Sequence, residues 1–238
     1  MIMKDSLLYK MYRLVISLPG IGKLVYKLDN YRRNIRRSLK VKRFRLYADD
    51  ILAALNTIYE TEKIEFFLFW GTFLGAYREH DFIPHDFDMD IAVWNETDLL
   101  KLKENLLKME FQLLCENTIV GEGIQEITFS YHGVQLDVFT VKRYNDNQYY
   151  SSYFEMIVSC PENRGLCSCT DIFFPAFNLK EIHFRNKKLL VPAEGEKILS
   201  AIYGDDFMIP NSNHQSCSRC YKKVIYPFYE KPAFSHRF

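Results

Sequence analysis

Apolar and polar positions along this 238-residue chain fall into blocks that read as helices and strands in mixed order. Apolar residues at 46, 51, 52, 55, 58 and 59 recur at helical spacing and predict a core-facing helix over residues 46–58. Residues 64–70 form a nearly unbroken apolar run that predicts a buried strand, ended by a Gly-Thr turn at 71–72 and followed by a short helix over 74–78. Residues 88–94 then alternate. Asp88 and Asp90 share one face of the predicted strand, and Met89 and Ile91 turn to the core. An amphipathic helix is expected over 97–109, and a β-hairpin over 124–131 and 134–141 around His132-Gly133. A second hairpin is expected over 179–192 with its turn near Asn186-Lys187, then a helix over 193–203 closed by Gly204. Between the two hairpins, beyond Arg143, the pattern loosens: residues 145–164 are polar and Tyr-rich and predict no element.

The first 45 residues differ in kind. Residues 4–28 interleave apolar and basic side chains around Pro19-Gly20, as two short amphipathic helices would, and residues 31–45 form a basic helix or arm. Thirteen Lys or Arg stand there against Asp5 and Asp29, a net +11. The whole chain is formally +1, so the remainder carries −10. The expected organisation is a basic amphipathic arm at 1–45 and one catalytic domain at 46–238. Peripheral contact with an anionic membrane and simple packing on the acidic body are both consistent with such an arm. No nucleic-acid reader motif accompanies the charge, so no nucleic acid is expected.

No run of eighteen apolar residues occurs, and basic residues interrupt the apolar stretch at the N-terminus, so neither a bilayer span nor a signal peptide is expected. Six cysteines, at 115, 160, 167, 169, 217 and 220, do not make a secreted disulfide scaffold of a chain this long. A cytoplasmic protein with reduced thiols is the expectation. Cys217 and Cys220, with His214 and the Cys167/Cys169 pair, invite a zinc site, but Cys-x-Cys is not the usual second half of one. Free thiols are favoured.

The chemistry concentrates at 70–94. Two carboxylates one strand repeat apart repel each other unless a cation lies between them, and hard oxygen ligands suit Mg²⁺ or Mn²⁺ held with substrate phosphates. The Gly71-Thr72 turn can bring backbone N–H groups and a hydroxyl to a phosphate. Asp137 lies among apolar neighbours in the 134–141 strand, where a carboxylate needs a cation or a polar cleft. The plainer alternatives are a solvated acidic strand end for Asp88 and Asp90, and an ion pair with Glu79 or Asp81 for Arg78. His80, His85 and His183 read as structural or surface residues.

The run Gly71-Thr-Phe-Leu-Gly-Ala-Tyr-Arg-Glu-His-Asp-Phe-Ile-Pro-His-Asp-Phe-Asp-Met-Asp90 resembles the LicD/fukutin family, a branch of the nucleotidyltransferase-fold superfamily. The tail, with Val191-Pro192 and Tyr203-Gly-Asp-Asp-Phe-Met-Ile-Pro210, is similar as well, and the resemblance covers about residues 46–210. His85 stands where the family usually has Trp, and Phe87 where it often has a further Asp. The resemblance implies an α/β (α+β) nucleotidyltransferase-like fold, a small mixed sheet flanked by helices, with the basic arm outside the match. It implies Asp88, Asp90 and Asp137 as catalytic metal ligands for Mg²⁺ or Mn²⁺, with Asp137 as a candidate base. Gly71, Thr72, Gly75, Arg78 and Asp86 would bind substrate. The activity implied is transfer of a substituted phosphate, such as phosphocholine or ribitol phosphate, from a CDP-linked donor to a sugar hydroxyl of a surface glycan or glycolipid precursor. Two alternatives remain: nucleotidyl transfer to a small molecule, releasing pyrophosphate, and a non-catalytic, membrane-docked assembly factor.

Overall fold

The structure, a computed structural model, describes residues 20–159, 164–210 and 222–238. His214, Cys160, Cys217 and Cys220 lie outside these residues, as does the helix expected before Pro19. Two units are distinguished, one ending at Lys42 and one running from Arg43 to Phe238. Helix α1 comprises Ile21–Glu62. Its second half buries Phe44, Ala48, Ile51, Leu52, Leu55 and Ile58 at spacings of three and four, which is why this stretch is helical and faces the core. Among the described residues no helix is long and apolar enough to cross a membrane.

The second unit is built on one mixed sheet that holds twelve strands among the described residues. The small sheet expected from the sequence is therefore corrected to a large one. Its central part comprises β1 (Phe66–Leu68), β2 (Asp88–Val93), β3 (Gln112–Ile119), β4 (Gly123–Tyr131) and β5 (Val134–Thr140). Along the sheet these run β3-β4-β5-β2-β1. β4 and β5 form the expected hairpin, and the positive φ angles of His132 and Gly133 make its tight turn. β2 and β5 are parallel; β1 is antiparallel to β2. Beyond β1 lies the hairpin of β10 (Lys187–Pro192) and β9 (Leu179–Phe184), turned by Arg185 and Asn186, both at positive φ. Helix α2 (Trp70–Arg78) packs on β2, and α3 (Glu96–Lys108) packs on β2, β4 and β5. Asn95 caps α3, its side chain accepting from the Asp98 N–H. α4 (Gly195–Tyr203) lies on β10 and on β8 (Arg164–Pro175).

The stretch without a predicted element is mostly strand. β6 (Lys142–Asn145), β7 (Gln148–Ser159) and β8 continue the sheet, and β12 (Ala233–Arg237) joins β8 to β3. β11 (Lys222–Tyr226) pairs with β8 farther along that strand. An ion cluster seats this region. Lys231 donates to Asp171 at 2.7 Å and lies 3.3 Å from Glu122, which also pairs with Lys142. The Lys231 ammonium lies over the rings of Tyr150 and Tyr226. Burial alone would favour neutral Lys231, but the hydrogen bond and charge of Asp171 more than offset it and push the amine above its usual range.

Candidate active site

β2 delivers the acids as its alternation requires: Met89 and Ile91 are buried in the core, while Asp88 and Asp90 occupy the other face, half-buried. The parallel pairing with β5 puts Asp90 directly opposite Asp137 and Asp88 opposite Gln135. Three acids separated by up to 49 positions in sequence thus share one face of two adjacent strands. On the next strand, Thr128 lies opposite Asp137 and donates its hydroxyl to it at 2.6 Å; Gln135 donates to both Asp137 oxygens at 3.2 and 2.9 Å. Asp137 is buried, and these donors fix its carboxylate.

The Gly-Thr pair opens α2 and grips Asp90. The Gly71 N–H, an N-terminal donor of the helix, meets the Asp90 carboxylate at 3.0 Å. The Asp90 backbone N–H donates to the Thr72 hydroxyl at 2.8 Å, with Thr72 fully buried. A Cβ at Gly71 would lie 3.2 Å from Asp90 Oδ2 and 3.4 Å from Asp86 Oδ2, so the bare glycine makes the cradle in which these carboxylates meet. Gly71→Ala is expected to lower turnover about tenfold by displacing Asp90, with helix propensity keeping the thermal midpoint near that of the parent. Paired kinetics and melting curves check this. Equal loss of stability and activity would make the residue purely structural.

The remaining residues expected at the substrate are tied to protein. Gly75 packs beneath the following loop; a Cβ there would meet the Asp81 carbonyl at 2.8 Å and the Ile83 nitrogen at 2.9 Å. The Arg78 guanidinium donates to the Phe207 carbonyl at 3.0 Å and to Glu79 at 2.8 Å. Asp86 lies on that same loop, which is pinned from two sides. Arg45 donates to the Phe82 and Ile83 carbonyls, and Arg185 bridges Asp49 and Asp81. Phe82 is locked between Phe44 and Phe184. Arg45, counted with the basic arm in the sequence, therefore belongs to the scaffold of the site.

The electrostatics are those of crowded acids. Burial, then the Asp88 charge and a hydrogen bond with Asp88, push Asp86 up to about 7. Burial and the charges of Asp88, Asp137 and Asp86 hold Asp90 well above the carboxylate range, against the Gly71 hydrogen bond. Glu126, one rung along β4 from Thr128, is pushed up to about 8 by burial and by Asp137, while Asn117 donates to it at 2.7 Å. The folded protein therefore holds protons between about pH 4 and 8 that the unfolded chain has released. Stability without divalent cation falls as pH rises through this window. A drop of roughly 5 °C in melting temperature from pH 5 to pH 8 is expected in chelator, and recovery at pH 8 on adding Mg²⁺. A flat or rising profile would contradict it.

Two features escaped the sequence. Trp70, just before the glycine, adopts a left-handed backbone (φ 41°), and its buried indole N–H has no hydrogen-bond partner among the described residues. Its ring packs against Phe69 and Phe139. Glu126 is the other, an alternating polar residue whose place beside Asp137 depends on strand register. Nothing local distinguishes it.

Among the described residues no three His, Cys, Asp or Glu side chains already form a closed metal cluster. The donor set still fits a hard cation: carboxylate oxygens only, mutually repelling, against a glycine that leaves room. The described cysteines offer no competing soft site; Cys115, Cys167 and Cys169 are free thiols.

The mixed sheet thus presents paired acids opposite a third, against a Gly-Thr helix start. Residues 63–194 match the family described as LicD/FKTN/FKRP, nucleotidyltransferase domain, and the chain belongs to this family. Membership points to a transferase of phosphorus-containing groups that acts on glycans. No curated protein matches the chain.

Proposed function

We propose that this protein transfers a substituted phosphate, of the phosphocholine or polyol-phosphate kind, from a CDP-linked donor to a sugar hydroxyl of a cell-surface glycan or glycolipid precursor. The observation that carries this reading is the register of β2 on β5, which sets Asp88 and Asp90 against Asp137 on one polar face. In the reaction the acceptor oxygen forms a bond to the donor's β-phosphorus, the bond from that phosphorus to the CMP oxygen breaks, and CMP leaves. Asp137, oriented by Thr128 and Gln135, accepts the acceptor's proton. Gly71 and Thr72 hold Asp90 in place, and the unpartnered Trp70 N–H is available to a donor oxygen. Asp88, Asp90 and Asp137 would hold Mg²⁺ or Mn²⁺, which supplies charge neutralisation at the phosphates.

The test is CMP release from CDP-choline, CDP-ethanolamine, CDP-glycerol and CDP-ribitol, with Mg²⁺ or Mn²⁺ and with chelator, in the presence of a glycan acceptor fraction. Metal-dependent CMP release from one donor supports the reading. Pyrophosphate release from a nucleoside triphosphate without CMP release from any CDP donor overturns it in favour of nucleotidyl transfer.

A further inference from the structure

The first half of α1 carries an apolar stripe that nothing in the site explains. Ile21, Leu24, Leu28, Tyr31, Ile35 and Leu39 recur at spacings of three and four, the repeat of one helix face, and all are between 38 and 65% exposed. This is not the stripe that builds the core. The repeat that builds the core, through Phe44, Ala48, Ile51 and Leu55, belongs to the other unit. The exposed stripe extends about 27 Å at the rise of an α-helix.

Its flanks are cationic. Lys27 lies one turn from both Leu24 and Tyr31, and Arg32 one turn from both Leu28 and Ile35. Residues 21–42 hold eight Lys or Arg against the single acid Asp29, which Arg33 already pairs. Two copies of this helix joined along the stripe would set Lys27 and Arg32 against like charges, which disfavours a self-paired coil. A nucleic acid would use the cations but leave the apolar stripe in water. An anionic bilayer surface uses both: acyl chains take the stripe, and headgroup phosphates take the lysines and arginines at its edges.

We infer that residues 21–42 dock the protein in the plane of an anionic lipid surface through the Leu24–Leu28–Tyr31–Ile35–Leu39 face. The inference is independent of which phosphate group the enzyme transfers. The test is co-sedimentation of the full chain with vesicles of phosphatidylcholine alone and with about one third phosphatidylglycerol, at low and physiological salt. Binding is expected to the anionic vesicles and to weaken, without vanishing, at higher salt. Leu28→Glu with Ile35→Glu should weaken it at least about tenfold, since each exchange takes away an exposed apolar side chain that the acyl chains would cover. Tyr26→Glu with Asn34→Glu, which adds the same two charges at exposed positions off the stripe, should weaken it at least about tenfold less and serves as the matched control. Unchanged melting temperatures confirm that each variant folds. Equal loss in all variants, no vesicle binding, nucleic-acid binding in its place, or dimerisation abolished by the stripe variant would each overturn the inference.

Discussion

Asp90→Asn is expected to lower CMP release by about a thousandfold while leaving the cation-free protein at least as stable as the parent. The two effects have one cause. Asp90 is crowded by Asp88, Asp137 and Asp86, and burial together with these charges already favours its neutral form. An amide keeps an oxygen to accept the Gly71 N–H and leaves the Thr72 hydroxyl bonded to the backbone of residue 90. It removes only the negative charge. In the absence of cation that removal relieves repulsion; under the proposed function it also removes a charge that would hold a cation against the donor phosphates. Chelator-treated samples should show the variant melting at or above the parent at pH 8, and assays with saturating Mg²⁺ should show the loss. A variant that turns over within tenfold of the parent would show that the acid pair does not act in the reaction. Opposite signs in stability and activity would identify the acids as a functional rather than a structural feature.

The largest loss of stability is expected at the other end of the sheet. Lys231→Met should lower the unfolding free energy by about 3 kcal/mol, because Asp171 then stays buried without its counter-charge. The side chains of the pair are 11 and 5% exposed, too little for water to replace the missing partner. Ser152 and Cys169 still offer hydrogen bonds to Asp171, and these hold the expectation at the lower end of the range for buried pairs. Adding Asp171→Leu to Lys231→Met should recover part of the loss, since an apolar pair of similar volume replaces a desolvated one. Urea titrations of the two single variants and the double variant give the coupling directly. Additive losses would mean that the pair contributes no more than two independent residues.

Most of the central fold was legible from periodicity. The alternation of Asp88-Met89-Asp90-Ile91 gave β2, and the apolar spacing gave α3, the β4–β5 hairpin and α4 within one or two residues. Predicted strand 64–70 shortens to Phe66–Leu68 because α2 starts at Trp70, where a left-handed residue turns the chain sooner than the Gly-Thr pair suggests. The large sheet was not legible. β7 and β8 carry Ser152 and Asp171 in buried positions, where Ser152 donates to Asp171 and Lys231 pairs with it, so these polar residues, which make a strand read as loop, are paired inside the protein. Their hydrogen bonds are long-range, and no local pattern announces them.

The site followed the same division. Asp88, Asp90 and Asp137 could be named from spacing and family wording. What Gly71, Thr72, Gly75 and Arg78 touch depends on how α2 meets β2 and residue 207. The residues read as a phosphate cradle also support the acids: Gly71 and Thr72 hold Asp90, Gly75 admits the Asp81–Ile83 backbone, and Arg78 ties α2 to the Phe207 carbonyl.

The parallel seam between β2 and β5 also sets an order of assembly. β2 finishes at Val93, yet its partner is not made until residue 140, after α3 and two further strands. A chain leaving the ribosome therefore exposes Asp88 and Asp90 well before Asp137 can stand opposite them, and this late, non-local pairing is the kind that slows folding. Fragments that end before β5 would carry the family's most recognisable run of residues and still lack the third acid. The site is thus completed only once β5 has been made, and products truncated before it are expected to be inert toward nucleotide donors.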